Sequence, residues 1–368
     1  MRRGPPPATF GFSFCLEGVK VCAPLNTSTT LALLVPAAIL GTCGTVAALE
    51  TGGGAPSATA LSPAVLPGNG LAQHPFLYAG EWDTRKAEQS MFLVREGRIA
   101  WSASIPLHPS PGSNQEFDDA TLLPNGNIIF SRMSGAGEMG PDKRLVWDYP
   151  APPGTEIHSI QTLGHGRVLI MRNGNPAQAM IFDTATGAVE RVIPIPTTVA
   201  GTHGQFRHIR MTRARTLLVP HLGEDKVVEY DLNGRVLWSV QAKSPWSAIR
   251  LNNGNTLVAG DWSGYVREVS PSGETVWEFT QADVPDIRIF NLQTANRLAN
   301  GDTVITNWCA GDKNVEDWPS TVQVLEVSPD KKVVWALRSW RDPGDLGPAS
   351  SIQLLDEPGD AESGDQQR

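Results

Sequence analysis

The chain has little cysteine, little charge and no long apolar run. Four cysteines stand in 368 residues. Three lie in the first 43 positions, so removal of the N-terminus as an export segment would leave Cys309 alone, unable to form an internal disulfide and read as a free, semi-buried thiol. Charged residues make up 18% and the net charge is −8. No basic surface therefore offers itself to nucleic acid, and no such partner is expected. No stretch is long and continuous enough for a comfortable transmembrane helix. Absent too are GxSxG, the phosphate-binding loop and HExxH, which removes the commonest hydrolase, P-loop nucleotide and zinc-protease readings.

Glycine (36), proline (29) and tryptophan (11) are plentiful. The N-terminus differs from the rest. "TTLALLVPAAILGTCGTVAALE" (29–50) has an apolar run of signal-peptide length followed by small residues, so residues 1–48 read as an export segment, with a start codon that can be misassigned. Two outcomes stay open: cleavage after Ala48, or lipidation of Cys43 in the lipoprotein-like box "LGTC". Either places the protein in the periplasm or outside the cell, with membrane contact only through Cys43. Residues 49–73 then read as a flexible linker.

The remainder repeats. "GRIAW", "KRLVW", "GRVLW", "GETVW" and "KKVVW" end at Trp101, Trp147, Trp238, Trp277 and Trp335, and "GAVER" puts Arg191 in the same place. Successive copies lie about 39 to 58 residues apart, the period of a four-stranded blade. Inside each unit a strand, a tight turn and a second strand recur, as in "LLPNGNIIFSR", "RLNNGNTLVAGD" and "RLANGDTVITNW". Asn-Gly there suits a two-residue hairpin with positive φ. The C-terminal "ASSIQLLDEPG" matches a first strand, while the N-terminal unit from Pro75 lacks one. The economical solution is an all-β, six-bladed β-propeller over residues 74–358, closed by the C-terminal strand completing the N-terminal blade and followed by a disordered tail, 359–368. The five tryptophans then pack between blades.

In such a ring the short turns lie on one face and the chemically rich loops on the other, conventionally the top. The starts of the first strands give a ring of Asp118, His158, Phe206, Trp246, Gln293 and Ser350, followed by Asp119, Ser159, Arg207, Ser247, Thr294 and Ser351. The ends of the second strands add Glu81, Trp82, Arg132, Arg172, His221, Asp261, Trp262, Asn307 and Trp308. Arginine, aspartate, histidine and tryptophan without lysine suit a ligand pocket. His158, His208, His221 and Asp118 are the catalytic candidates, as nucleophile, base or acid. Asp118 and Asp119 can also hold a divalent cation, although neighbours on one strand point to opposite faces. The arginines suit an anion and Trp246, Trp262 and Trp308 a sugar or aromatic ring.

"DLNGRVLWSV", "RLNNGNTLVAGDWSGYVREVSPSGETVWEF" and "RLANGDTVITNW…VQVLEVSPDKKVVWAL" resemble the PQQ-like, quinoprotein-type propeller repeats of bacteria, and the turn-and-tryptophan blade motif is similar to arylsulfotransferase-like propellers. The first resemblance implies a PQQ-type cofactor, but this chain counts six blades where eight are usual and has no adjacent cysteines, so no cofactor beyond a divalent cation is expected. The second implies that His158 passes a sulfuryl group, with His208 or His221 and Arg207 or Arg172 binding the anion; "DDATLLPNGN" has Asp118 where a histidine usually stands.

Three functions follow. The propeller binds a small anionic or carbohydrate-like ligand, or a protein partner, on its top face, as a monomer. It is instead an enzyme acting on an anionic substrate, by sulfuryl transfer or polysaccharide cleavage. Or it is a scaffold for assembly. Convergence of Asp118, His158, Arg172, His208, His221 and Asp261 around one cavity, with perturbed titration, would favour the enzyme, and dispersion into pairwise bridges the scaffold.

Overall fold

The computed structural model describes residues 65–363, apart from Asp261 and Ser263. The export segment, Cys43, residues 49–64 of the linker and the end of the tail lie outside the described residues, as does Asp261.

Six sheets, each of four antiparallel strands, form the six-bladed propeller. Blade 1 is built from Ala349–Leu354, Phe76–Gly80, Glu88–Arg95 and Arg98–Pro106, so the C-terminal strand does complete the N-terminal blade, in register from Phe76 against Leu354 to Gly80 against Ala349. Blades 2 and 3 begin at Phe117–Leu122 and Glu156–Gly164. The first strand of blade 4 is reduced to Arg210–Met211, and blades 5 and 6 begin at Pro245–Arg250 and Asn291–Arg297. Second strands such as Thr303–Trp308 are buried along their whole length, while the outermost strands expose alternate residues. The core is therefore distributed between blades. One cluster joins Leu257, Ala259 and Val266 of blade 5 to Leu292, Ile305 and Leu325 of blade 6.

The repeated tryptophans hold neighbouring blades together. The indole N–H of Trp101 donates to Pro141 O, that of Trp238 to Pro271 O and that of Trp277 to Pro329 O, each at 2.9 Å and each in the outer turn of the next blade. Trp335 closes the series by donating to Gly70 O, which ties residues 67–70 of the expected linker to blade 6. Arg191 takes the tryptophan place in blade 3 and its guanidinium donates to Leu232 O, the corresponding turn of blade 4. Trp147 packs against Phe182 of blade 3 instead.

The Asn-Gly turns are longer than expected. In "LPNGN" only Gly126 has positive φ, and the hairpin closes between Leu123 and Asn127, with Asn125 Oδ1 accepting from Asn127 N–H. Pro124 fits the first corner of a type I turn and glycine takes the left-handed position after it. The two-residue turn with two positive φ values is found in blade 3, at His165 and Gly166.

One irregularity positions the site. In every blade the pairing of first and second strands slips by one residue at the same height: Phe117 to Ala120, Ile157 to Ser159, Phe206 to Arg210, Pro245 to Ser247, Leu292 to Ala295 and Ala349 to Ser351. A bulge inserts an extra residue and turns its side chain off the pleat. Consecutive residues can then both face the axis, so Asp118 and Asp119 do not point to opposite faces as expected. Among the described tail residues, Ala361–Ser363 form a 3-10 turn.

Candidate functional site

The bulged residues form the inner ring at the top of the channel: Asp118, His158, Arg207, Trp246, Gln293 and Ser350. All are buried. Arg207, not Phe206, is the blade 4 member. Phe206 bridges to His221 and packs into the core between blades 3 and 4. The shortened first strand of that blade shifts the register by one.

Above the ring, Glu81 at the end of a blade 1 strand and Glu116 just before blade 2 join Asp118. One carboxylate oxygen from each lies within 4.8 Å of the others. The three are buried, and Glu81 Oε2, both Glu116 oxygens and Asp118 Oδ2 have no hydrogen-bond partner among the described residues. Burial raises the Glu116 carboxyl well above its ordinary value, and Asp118 and Glu81 add to the shift. Burial and Glu81 do the same to Asp118. Burial raises Glu81 less, because Arg207 and Gln293 beside it offset the effect. Gln293 and Asn291 are buried with both amide atoms unpartnered. Buried polar groups are nearly always hydrogen-bonded, so a cluster of orphans marks a place built for something else.

His158 links this cluster to its rim. Nδ1 lies 3.1 Å from Asp118 Oδ1 and 3.2 Å from Glu116 Oε1, and Nε2 lies 2.8 Å from Glu156 Oε2. Burial opposes ionisation of Glu156, but His158 and His203 overcome it and hold that carboxyl well below its usual range. His203 Nδ1 lies 3.0 Å from Glu156 and Nε2 lies 3.1 Å from Arg207 Nη2. The Glu156 contact favours a charged His203 ring, yet burial and Arg207 outweigh it and lower its pKa. Arg207 donates to the carbonyls of His203 and Phe206 and lies over the Trp246 ring, 4.7 Å from its centroid.

The opposite wall is aromatic. Trp262 stands edge-on to Trp246, with ring centroids 6.0 Å apart, and 5.9 Å from Trp308. Trp262 is 60% exposed and forms the mouth, while Trp246 and Trp308 are buried behind it. Trp308 donates to Glu81 O, joining this wall to the acidic one. Trp82, at positive φ, faces His203 across the rim at 6.0 Å.

One layer down, the buried carboxylate has its charged partners, while both His208 ring nitrogens, Arg210 Nε and Ser351 Oγ accept or donate no hydrogen bond among the described residues. Arg210 donates to both oxygens of Asp119, at 2.8 and 3.1 Å, and His208 Nδ1 lies 3.3 Å from Asp119 Oδ2. Burial would raise the Asp119 carboxyl, but Arg210 and His208 hold it well below its ordinary value, while burial lowers the His208 pKa. Asp119 and Arg210 line the channel with Ser247, Thr294 and Ser351, and Ala361 lines it too.

Several expected site residues are placed elsewhere. His221 is held between Glu224, 2.6 Å from Nδ1, and Tyr230 Oη, 2.9 Å from Nε2. Burial lowers its pKa to about 4. Arg132 pairs with Asp148 at 2.6 Å, and Arg172 bonds to Tyr149 and Gln178. Asn307 holds a loop through Phe290 N–H, Arg288 O and Val322 O. Cys309 is a fully buried free thiol, its pKa pushed up to about 12. The residues that sequence reasoning missed are Glu116, Glu156, His203 and Asn291. "EFD", "EIH" and "NLQ" place three of them two positions before a ring residue, a period-2 signal that puts both side chains on one face.

No family model and no curated protein matches the chain. Among solved structures, a protein of unknown function from Bacteroides caccae aligns at 26% identity with a TM-score of 0.66, covering 77% of this chain and 99% of that one. A catalytically inactive virginiamycin B lyase from Staphylococcus aureus with quinupristin aligns at 14% identity and TM-score 0.49, over 74% of this chain and 88% of that one. A streptogramin B lyase aligns at 13% and 0.48, over 76% and 85%. At these identities the likeness is one of architecture, and the chain is a β-propeller.

Proposed function

We propose that the protein is an exported propeller that binds a small, carbohydrate-like ligand at the mouth of its top face. One observation carries the reading: carboxylate oxygens without donors, at Glu81, Glu116 and Asp118, share a site with the Trp246–Trp262–Trp308 wall. A sugar offers an apolar ring face to tryptophan and hydroxyl donors to open acceptors. An anion is served less well. Arg132 is paired with Asp148, Arg210 with Asp119, and the terminal nitrogens of Arg207 are spent on backbone carbonyls and His203. Calorimetry against neutral and anionic saccharides and aryl sulfates tests this. A neutral sugar is expected to bind, and Trp262→Ala to weaken it at least about tenfold, while Arg132→Ala leaves it unchanged. Preference for the anions, or binding indifferent to Trp262→Ala, would overturn it.

A second reading, cleavage of the same class of ligand, has its own support. Glu156, His158 and Asp118 form a continuous line of proton-bearing groups, 2.8 and 3.1 Å apart, that ends in the pocket. It predicts turnover that His158→Ala abolishes and His221→Ala preserves. Sulfuryl transfer draws less support, because both ring nitrogens of His158 already face carboxylates.

A further inference from the structure

We infer that Glu81, Glu116 and Asp118, with the side-chain amide of Gln293, form a binding site for one hard divalent cation, Ca²⁺ in particular. The inference draws on the same three carboxylates as the sugar reading, and its test is run without sugar so that either can fail alone.

Three observations converge. The donor oxygens of the three carboxylates lie within 4.8 Å of one another. Three carboxylates beside an amide carbonyl make the all-protein oxygen set that Ca²⁺ takes, whereas Mg²⁺ usually keeps several waters and only one or two carboxylates. Secondly, each carboxylate presents an oxygen that nothing donates to, and Gln293, fully buried and beside Glu81, has a carbonyl oxygen equally free. An acidic cluster alone is common; a buried amide turned into it with no partner is not. The cations nearby also leave room. Arg207 donates its terminal nitrogens to backbone carbonyls and His203 and to none of the three carboxylates, so their open oxygens meet no guanidinium N–H that a divalent ion would have to displace.

A neighbouring set, Glu116 with His158 and His203, is also close enough to share an ion. It is the weaker candidate. The nitrogens of His158 and His203 already face Glu156, Asp118 and Arg207, and a metal there would have to break those contacts. The all-oxygen set leaves the contacts of His203 in place and has a carboxylate oxygen without a donor on each residue, and oxygen ligands select a hard cation.

The test uses the whole protein, stripped with a chelator and titrated with Ca²⁺, Mg²⁺ and Zn²⁺ by calorimetry, with thermal melts in parallel and no sugar present. One Ca²⁺ per chain is expected, at a dissociation constant of about 10⁻⁴ M or below, with a rise in melting temperature. Glu116→Gln and Asp118→Asn should each weaken binding at least about tenfold. Both should still fold, because an amide removes like-charge repulsion, so their metal-free melts should match or exceed that of the wild type. Arg132→Ala should bind Ca²⁺ normally. The inference fails if Ca²⁺ gives neither heat nor a melting shift up to about 10 mM. It also fails if Glu116→Gln and Asp118→Asn bind as well as wild type, or if Zn²⁺ alone binds and His203→Ala abolishes it.

Discussion

Asp118 and Asp119 are consecutive in sequence, both buried, both turned to the axis by one bulge, and opposite in every other respect. Asp119 is held by Arg210 and His208 and its carboxyl stays ionised well below the usual range. Asp118 shares its surroundings with two further carboxyls and is pushed the other way, with an oxygen left unpaired. The lower layer is polar structure: each charge has its counter-charge, and the ring is riveted through it. The upper layer is polar and incomplete. Burial by itself therefore says nothing about role; whether a carboxylate has a cationic partner does.

The comparison breaks most visibly under the same substitution at both positions. Asp119→Asn should destabilise the fold by about 3–5 kcal/mol in denaturant unfolding, since it leaves Arg210 buried without its counter-charge. Asp118→Asn in the presence of chelator should be neutral or stabilising by up to about 1 kcal/mol, since it removes a buried like charge. Equal losses at the two sites would erase the distinction.

A histidine outside the site sharpens it through pH. Burial holds His221 neutral, with its folded pKa lowered to about 4 from 6.5. The unfolded chain takes up the proton first, so this stability is whole above pH about 6.5 and is lost as pH falls toward 4, a change on the order of 2 kcal/mol. Glu224 beside it, lowered to about 2, adds a loss at still lower pH, below its unfolded value. His221→Gln should flatten the melting profile between pH 6.5 and 4 and leave sugar and Ca²⁺ binding as they were. The smallest effect concerns the rim of the ring. Arg191→Ala removes one exposed bond to Leu232 O and should cost about 0.5–1 kcal/mol, read as a shift of a few degrees in melting temperature.

The architecture was legible because the ring writes the same devices repeatedly. A left-handed residue closes each inner turn, glycine in blades 2, 3, 5 and 6 and Arg215 in blade 4, and Trp101, Trp238 and Trp277 each need a carbonyl in the next blade. Even Arg191, the exception in the pattern, makes the same bond. The inner ring was legible in five blades. It slipped by one in blade 4, where "QFRHIRM" supplies only two residues in regular pairing and the apolar Phe206 reads as the inward position. The bulges left no mark in composition, so Asp118 and Asp119 read as pointing apart. Partner choice was the least legible. Nothing in the sequence says that Arg132 will find Asp148, or Arg172 Tyr149 and Gln178, since those partners come from other strands of the sheet. Glu116 and Glu156 were readable in principle, two residues before Asp118 and His158, but a glutamate at the entrance to a strand reads as an ordinary solvated charge.

The closure of blade 1 has a consequence for synthesis. Ser350 lies on the strand that closes the ring, made after every other strand of the six blades, donates to Asp118 O, and accepts from Thr306 at its own carbonyl. Until that strand arrives, blade 1 lacks its inner wall and Glu81 has no enclosed place beside Asp118. A chain without that strand thus carries every carboxylate and tryptophan of the upper layer, lacking only Ser350 of the ring, and still has no site. Arrival of the closing strand is itself the assembly step, and a product without it is left with an open, unpaired sheet edge where the closed ring has none.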